Sequence, residues 1–114
     1  MAVSGSYLLD TNIVIALFAA EQAVLDHLKV AGEVYIPSIV IGELAYGAYK
    51  STRVTENLPR IEDFVASNVI LTCDAVTAFH YGIIKDQLRQ SGKPIPENDI
   101  WIAAAAIQYD STVL

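Results

Sequence analysis

The sequence predicts an α/β domain, a parallel sheet of about four short strands flanked by helices. Two observations carry that prediction. Short β-type runs alternate with longer helical patterns along the whole chain, and the first junction, Leu9-Asp10-Thr11, passes from strand to helix through almost no loop.

Tyr7-Leu8-Leu9 is an apolar run that ends abruptly in Asp10, Thr11 and Asn12. A helical pattern from Ile13 to about Val30 follows, with Ile13, Leu17, Val24, Leu25 and Leu28 on one face. Gly32 is placed to end it. Glu33 to Ile36 reads as the second strand and stops at Pro37-Ser38. Ser38 is a suitable N-cap for a helix from Ile39 to about Lys50, whose core stripe is Val40, Leu44 and Ala48. A third helix covers Glu56 to Ala66 with Leu58, Ile61 and Val65 inward, and Asn68 breaks it. Val69 to Thr72 is the next strand. Asp74 caps a long helix from Ala75 to Gln90, and Ser91 to Pro96 is a cluster of breakers. Asn98 or Asp99 opens the last helix, Ile100 to about Tyr109, ahead of a final strand at Thr112 to Leu114.

A chain of 114 residues is one domain, 1–114, with room for a real core. Hydrophobic residues make up 54% and charged ones 18%, so part of the surface is expected to be covered by another chain. A homodimer is the default, with Tyr46, Tyr49, Val54, Leu58 and Ile61 as its candidate face. The longest strictly apolar run, Ile13 to Ala20, is too short to span a membrane, and Met1 to Ser6 lacks the features of an export signal. A soluble, cytoplasmic protein is expected. Cys73 is the only cysteine, which excludes an internal disulfide and a cysteine-based metal site. The net charge of −6 repels nucleic acid, so a polyanionic substrate needs metal ions or a local basic rim. Lys50, Arg53, Arg89 and Lys93 are the nearest basic candidates for RNA contact.

Of the 13 acidic residues, Asp26, Glu62, Asp63 and Asp86 fall on polar helix faces beside Lys or Arg. Three others are placed differently. Asp10 ends the first strand, at the carboxyl edge where ligands of open α/β sheets bind, although an Asp, Thr or Asn there also serves as a helix cap. Glu43 lies little more than a turn inside a helix that starts where a strand ends. Asp99 opens a helix that leads into a parallel strand, so its start points back to the same edge, and it shares a face with Ile102, Ala103 and Ala106. Three carboxylates at one rim repel each other unless a cation neutralises them. Oxygen-only ligands suit Mg²⁺ or Mn²⁺, which can acidify a water and stabilise a departing oxygen in phosphoryl chemistry. His27 and His80 are isolated on helices, and such chemistry needs neither.

These residues also carry a resemblance. Leu8-Leu9-Asp10-Thr11-Asn12, Ser38 with Glu43-Leu44, and Pro96 through Asp99 followed by Ile102-Ala103-Ala104-Ala105 resemble the successive motifs of PIN-domain nucleases, in particular VapC-type toxins of toxin–antitoxin pairs. The resemblance covers essentially the whole chain. It implies a PIN-like fold and a Mg²⁺- or Mn²⁺-dependent endoribonuclease in which Asp10, Glu43 and Asp99 bind the metal. Thr11, Asn12 and Ser38 would support the site, Thr11 by hydrogen bonding. It also implies an antitoxin whose tail occupies the groove, and toxins that dimerise. In the family the last strand runs on into a segment that supplies a fourth acidic or polar residue, and this chain stops at Leu114, so its C-terminal end is expected to be truncated relative to that pattern. The rival from another class is a folded module that binds an antitoxin or RNA without cutting.

Overall fold

The computed structural model describes residues 5–114; residues 1–4, part of the stretch read as lacking an export signal, lie outside them. The chain enters through β1 (Ser6–Leu8), α1 (Thr11–Phe18) and α2 (Gln22–Val30), then passes through β2 (Glu33–Pro37), α3 (Ser38–Lys50) and α4 (Val54–Ala66). It continues with β3 (Val69–Leu71), α5 (Ala75–Ser91), α6 (Glu97–Gln108) and β4 (Thr112–Val113). The strands form one sheet in the order β3-β2-β1-β4 with every pairing parallel, as the alternation of elements requires. Tyr7 stands opposite Val34 on one side and Thr112 on the other. The sheet is finished at its carboxyl edge by Leu9 N–H donating to the Tyr35 carbonyl at 3.2 Å and Leu114 N–H to the Leu8 carbonyl at 2.8 Å.

The core gathers where the inner strands meet α1, α3, α4 and α6. Leu9, Val14, Ile36, Val40, Leu44, Ile61, Phe64 and Ile102 form one buried cluster. The expected stripe on α3 holds, since Val40, Leu44 and Ala48 are its buried residues at i, i+4 spacing. On α4 the inward residues are Ile61 and Phe64, with Leu58 and Val65 partly buried against them. Ile61 is therefore core, and Val54 and Leu58 are half-buried, so only Tyr46 and Tyr49 of the expected partner face stand exposed. An inward turn is what amphipathic spacing on α4 predicts, and it withdraws the other three from a docking surface.

Four local readings are corrected. The helix expected from Ile13 to Val30 is two helices, broken at Ala19 to Glu21, where Ala20 takes a left-handed φ of 55°. No breaker residue stands there, so propensity favours continuation. Tertiary contacts override it: the Phe18 ring meets Phe64 edge-on at 5.2 Å, and Arg60 donates to the Phe18 carbonyl freed at the helix end. Gly32 does not close α2; Ala31 is its C-cap and the chain turns directly toward β2. Ser38 is the first residue of α3 rather than its cap, because Pro37 already takes the extended N-cap conformation and its ring favours that geometry. The last helix likewise starts earlier than expected, at Glu97 behind Pro96, which moves Asn98 and Asp99 into its first turn. Asp74 does cap α5, through a capping box with Thr77, and left-handed Gly92 ends that helix.

Candidate active site at the carboxyl rim

Each of the three singled-out acids stands at the start of a helix. Asp10 is the N-cap of α1, with extended backbone, and its Oδ1 accepts from Ile13 N–H at 2.9 Å. Its capping role is thus real. The same bond leaves Oδ2 without a hydrogen-bond partner among the described residues. Glu43 is half-buried on α3 and accepts from Thr11, whose Oγ1 donates to Oε1 at 2.6 Å. That bond ties the first turn of α1 to the second turn of α3, a link between residues 32 positions apart. It fixes one carboxylate oxygen and leaves Oε2 open.

Asp99 sits in the first turn of α6, exposed, and its carboxylate has no ion pair or hydrogen bond among the described residues. It was expected to turn toward the sheet with Ile102, Ala103 and Ala106. Ile102 and Ala106 are buried and Ala103 half-buried, as that face requires, while Asp99 itself, at the helix start, is exposed. The helix begins two or three residues earlier than the sequence suggests, and this places Asp99 where the first-turn N–H groups and the helix dipole favour a negative charge. Ile102, one turn on, shares its cluster with Leu9, Val14 and Val40, which flank Asp10 and precede Glu43. The start of α6 is thereby brought to the same rim. Among the described residues, however, no group of three or more His, Cys, Asp or Glu side chains is placed to hold a metal ion. The structure joins Thr11 and Glu43, sets Asp10 beside Thr11 in the chain, and puts Asp99 in the first turn of α6.

The supporting residues divide. Asn12 is exposed on α1. Ser38 Oγ donates to Cys73 Sγ at 3.9 Å, in a shallow cavity of about 310 Å³ that Trp101 also lines. A larger groove of about 390 Å³ opens between α1, α3 and α4, with Thr11 and Glu43 on its wall. Its remaining lining is mostly apolar, including Ile15, Phe18 and Leu44, and one cation, Arg60, faces into it. None of Lys50, Arg53, Arg89 and Lys93 lines that groove. Lys50 lies over the Tyr46 ring at 4.8 Å, Arg53 pairs with Glu56 at 3.6 Å, Arg89 pairs with Asp86 at 2.6 Å, and Lys93 is exposed. Arg60 escaped the sequence reading because it precedes an inward residue in an ordinary amphipathic helix. Only the α3–α4 packing brings it to the groove.

The model of the PIN domain family matches residues 7–114. Ribonuclease VapC2 of Haemophilus influenzae (strain ATCC 51907 / DSM 11121 / KW20 / Rd) is 43% identical over 104 residues, which cover 88% of this chain and 77% of that protein. A protein of Shigella flexneri named tRNA(fMet)-specific endonuclease VapC is 37% identical over 102 residues, with the same two coverages. Among solved structures, VapBC2 from Rickettsia felis bound to a DNA fragment from its promoter superposes with a TM-score of 0.84 at 32% identity, covering 95% of this chain and 84% of that one.

Proposed function

The chain belongs to the PIN-domain family, and from that membership we propose that it is a Mg²⁺- or Mn²⁺-dependent endoribonuclease, the toxin of a toxin–antitoxin pair. The observation that carries the reading is the Thr11–Glu43 hydrogen bond, which gathers the first two motifs at the edge where the parallel strands end. The donor set fits a hard divalent ion: Asp10, Glu43 and Asp99 offer carboxylate oxygens only, and Asp10 and Glu43 each keep one oxygen without a hydrogen bond among the described residues. Such an ion, when bound, supplies positive charge toward a phosphate and acidifies the attacking water. The chain's own part is positional. Thr11 orients Glu43, the α1 N-terminus holds Asp10, and the first turn of α6 presents Asp99 to solvent from the same rim.

The relatives are named ribonucleases and an endonuclease, and the superposed structure is a VapBC assembly, which supports an RNA substrate and a cognate antitoxin for this chain. A homodimer belongs to the same proposal. It is supported by exposed Tyr46 and Tyr49 on α3 and by Val76, Phe79 and Ile83 at i, i+3, i+7 on α5. A sedimentation experiment at micromolar concentration should give twice the chain mass, and a strict monomer would remove this part.

The test of the activity is cleavage of a looped or single-stranded RNA with Mg²⁺ or Mn²⁺, in which phosphates are splayed out enough to reach a shallow rim. Cleavage should stop with EDTA. Cleavage that persists in EDTA would sink the metal reading. The second reading, a binding module, is favoured by the absence, among the described residues, of three acids placed together to hold a metal ion. It predicts RNA or antitoxin binding with no cutting under any metal.

A further inference from the structure

The seven cations of this chain are used in distinct ways. Lys29, Arg53, Lys85 and Arg89 each pair with a carboxylate, of Asp26, Glu56, Glu97 and Asp86 respectively. Arg60 does not. Its guanidinium lies over the Phe18 ring at 4.6 Å and donates to the Phe18 carbonyl, with no carboxylate in ion-pair range among the described residues. A ring face and a carbonyl hold the planar group in place, yet neither cancels its charge, and most of its five donors stay free.

Its location gives that charge a use. Asn57 donates to Ser51 Oγ at 3.0 Å, which sets the start of α4 against the end of α3. Three residues on from Asn57, Arg60 comes level with Ala48, three back from Ser51, and its guanidinium, held at the Phe18 carbonyl, lies seven residues, about 10 Å, along α1 from Thr11, the partner of Glu43. Thr11, Glu43, Gly47 and Arg60 line one groove. Among the described residues, nothing beyond its own chain neighbours and helix backbone lies within 4 Å of the position a Cβ on Gly47 would take, so the groove is open at that point.

We infer that Arg60 is a phosphate-binding residue of the RNA site, gripping a backbone phosphate beyond the one at the acidic rim. The inference rests on the ribonuclease reading and assigns the polarity of the groove: acids at one end, a fixed guanidinium about two helical turns away, and an apolar trough between them for the intervening nucleoside. A point of positive charge in a chain of net −6 is what a polyanion needs there.

The test uses three proteins: the wild-type chain, Arg60→Met, which keeps the apolar stem over Phe18, and Arg60→Lys, which keeps the charge. Cleavage of a single-stranded RNA oligonucleotide gives KM and kcat, and its binding in Ca²⁺ across a salt series gives the slope of log K against log salt. Arg60→Met should raise KM about tenfold at low salt with kcat nearly unchanged, and its slope should be shallower by about 0.7, the share of one single-strand phosphate contact. Arg60→Lys should recover the wild-type slope even though both variants lose the same Phe18 carbonyl bond and melt alike. A slope unchanged in Arg60→Met, or a lysine variant as impaired as the methionine one, overturns the inference and returns Arg60 to a role in closing α1. Weakened binding of an acidic peptide with RNA binding intact overturns it in favour of a protein ligand. If the wild-type chain neither binds nor cuts RNA, the ribonuclease reading falls together with the inference; if it cuts RNA and the Arg60→Met slope is unchanged, the inference falls alone.

Discussion

The α5–α6 hairpin and the carboxyl rim use acidic residues in opposite ways. On the hairpin, Asp74, Glu97 and Asp86 are each answered, and among the described residues only Asp99 at the rim end of α6 is not. Asp74 accepts from Thr77 N–H at 3.1 Å and from Gln108 Nε2 at 2.9 Å, and fully buried Thr77 hydrogen-bonds Gln108 in turn. Glu97 is bonded by both Lys85 and Tyr81, and Asp86 is held by Arg89. Each of these three carboxyls is held below its ordinary range, Asp74 first by the Thr77 backbone N–H, Glu97 first by Lys85 and Asp86 first by Arg89. At the rim, Asp10, Glu43 and Asp99 have no cation in ion-pair range among the described residues. The hairpin acids that the fold has already satisfied serve stability, whereas under the proposed function the rim acids keep open oxygens for a cation from outside the chain.

The contrast is sharpest in activity. Asp10→Ala, Glu43→Ala and Asp99→Ala should each lower RNA cleavage by about a thousandfold or more, and double variants should be no worse, because the three act as one site. Asp74→Ala should lower the melting temperature and leave cleavage per folded molecule nearly intact. A rim variant that cuts normally would break the division. Metal binding separates the same two regions in a stability measurement. Saturating Mn²⁺ should raise the melting temperature, by the equivalent of about 2.7 kcal/mol at a hundred times the dissociation constant. Asp10→Asn should remove most of the gain and Asp74→Asn none of it. An equal response in both variants would return Asp10 to the role of a helix cap alone.

How much of this was legible in the residues follows the same line. The strands, the α3 stripe and the Asp74 cap are local patterns: Val40, Leu44 and Ala48 recur at a helical period, and Asp74 stands directly before its helix. The rim was legible as a set of helix starts, since topology alone sends the beginnings of α1, α3 and α6 toward one edge. What failed was decided by tertiary contact or by proline geometry. Nothing within Phe18 to Gln22 announces a break, because the break is held from α4 by Phe64 and Arg60. Pro37 and Pro96 began their helices ahead of the polar residues expected to cap them, and the shift at Pro96 took Asp99 into the first turn of α6. Arg60 carries no motif, and its place at the groove depends on α3 and α4 packing together.

Within the hairpin, Thr77→Val tests whether the polar network is a stability element. Valine keeps the volume but strands the Asp74 N–H, which the Thr77 hydroxyl accepts at 3.1 Å, and removes a partner of Gln108. The variant should lose about 1–2 kcal/mol in denaturant unfolding, with cleavage per folded molecule unchanged. A larger loss in cleavage than in stability would mean that the hairpin reaches the site.

The smallest effect is expected at the Lys85–Glu97 pair, which is exposed on both sides and should contribute little to the melting temperature at neutral pH. Its sign with pH is nevertheless fixed. Glu97 is held below its unfolded value, so whatever it contributes is present above about pH 4.5 and fades as the pH falls through its lower folded value. Lys85 is raised by Glu97 and Tyr81, so its share is present below its ordinary pKa of 10.5 and is lost as the pH climbs through the raised value. Melting curves of wild type and Glu97→Gln should therefore differ slightly between those limits, converge at acid pH, and converge again in high salt, where exposed charges are screened. A difference that survives both acid and salt would show that Glu97 acts through Tyr81, whose ring stacks on Trp101 with centroids 4.2 Å apart, rather than through its charge on Lys85.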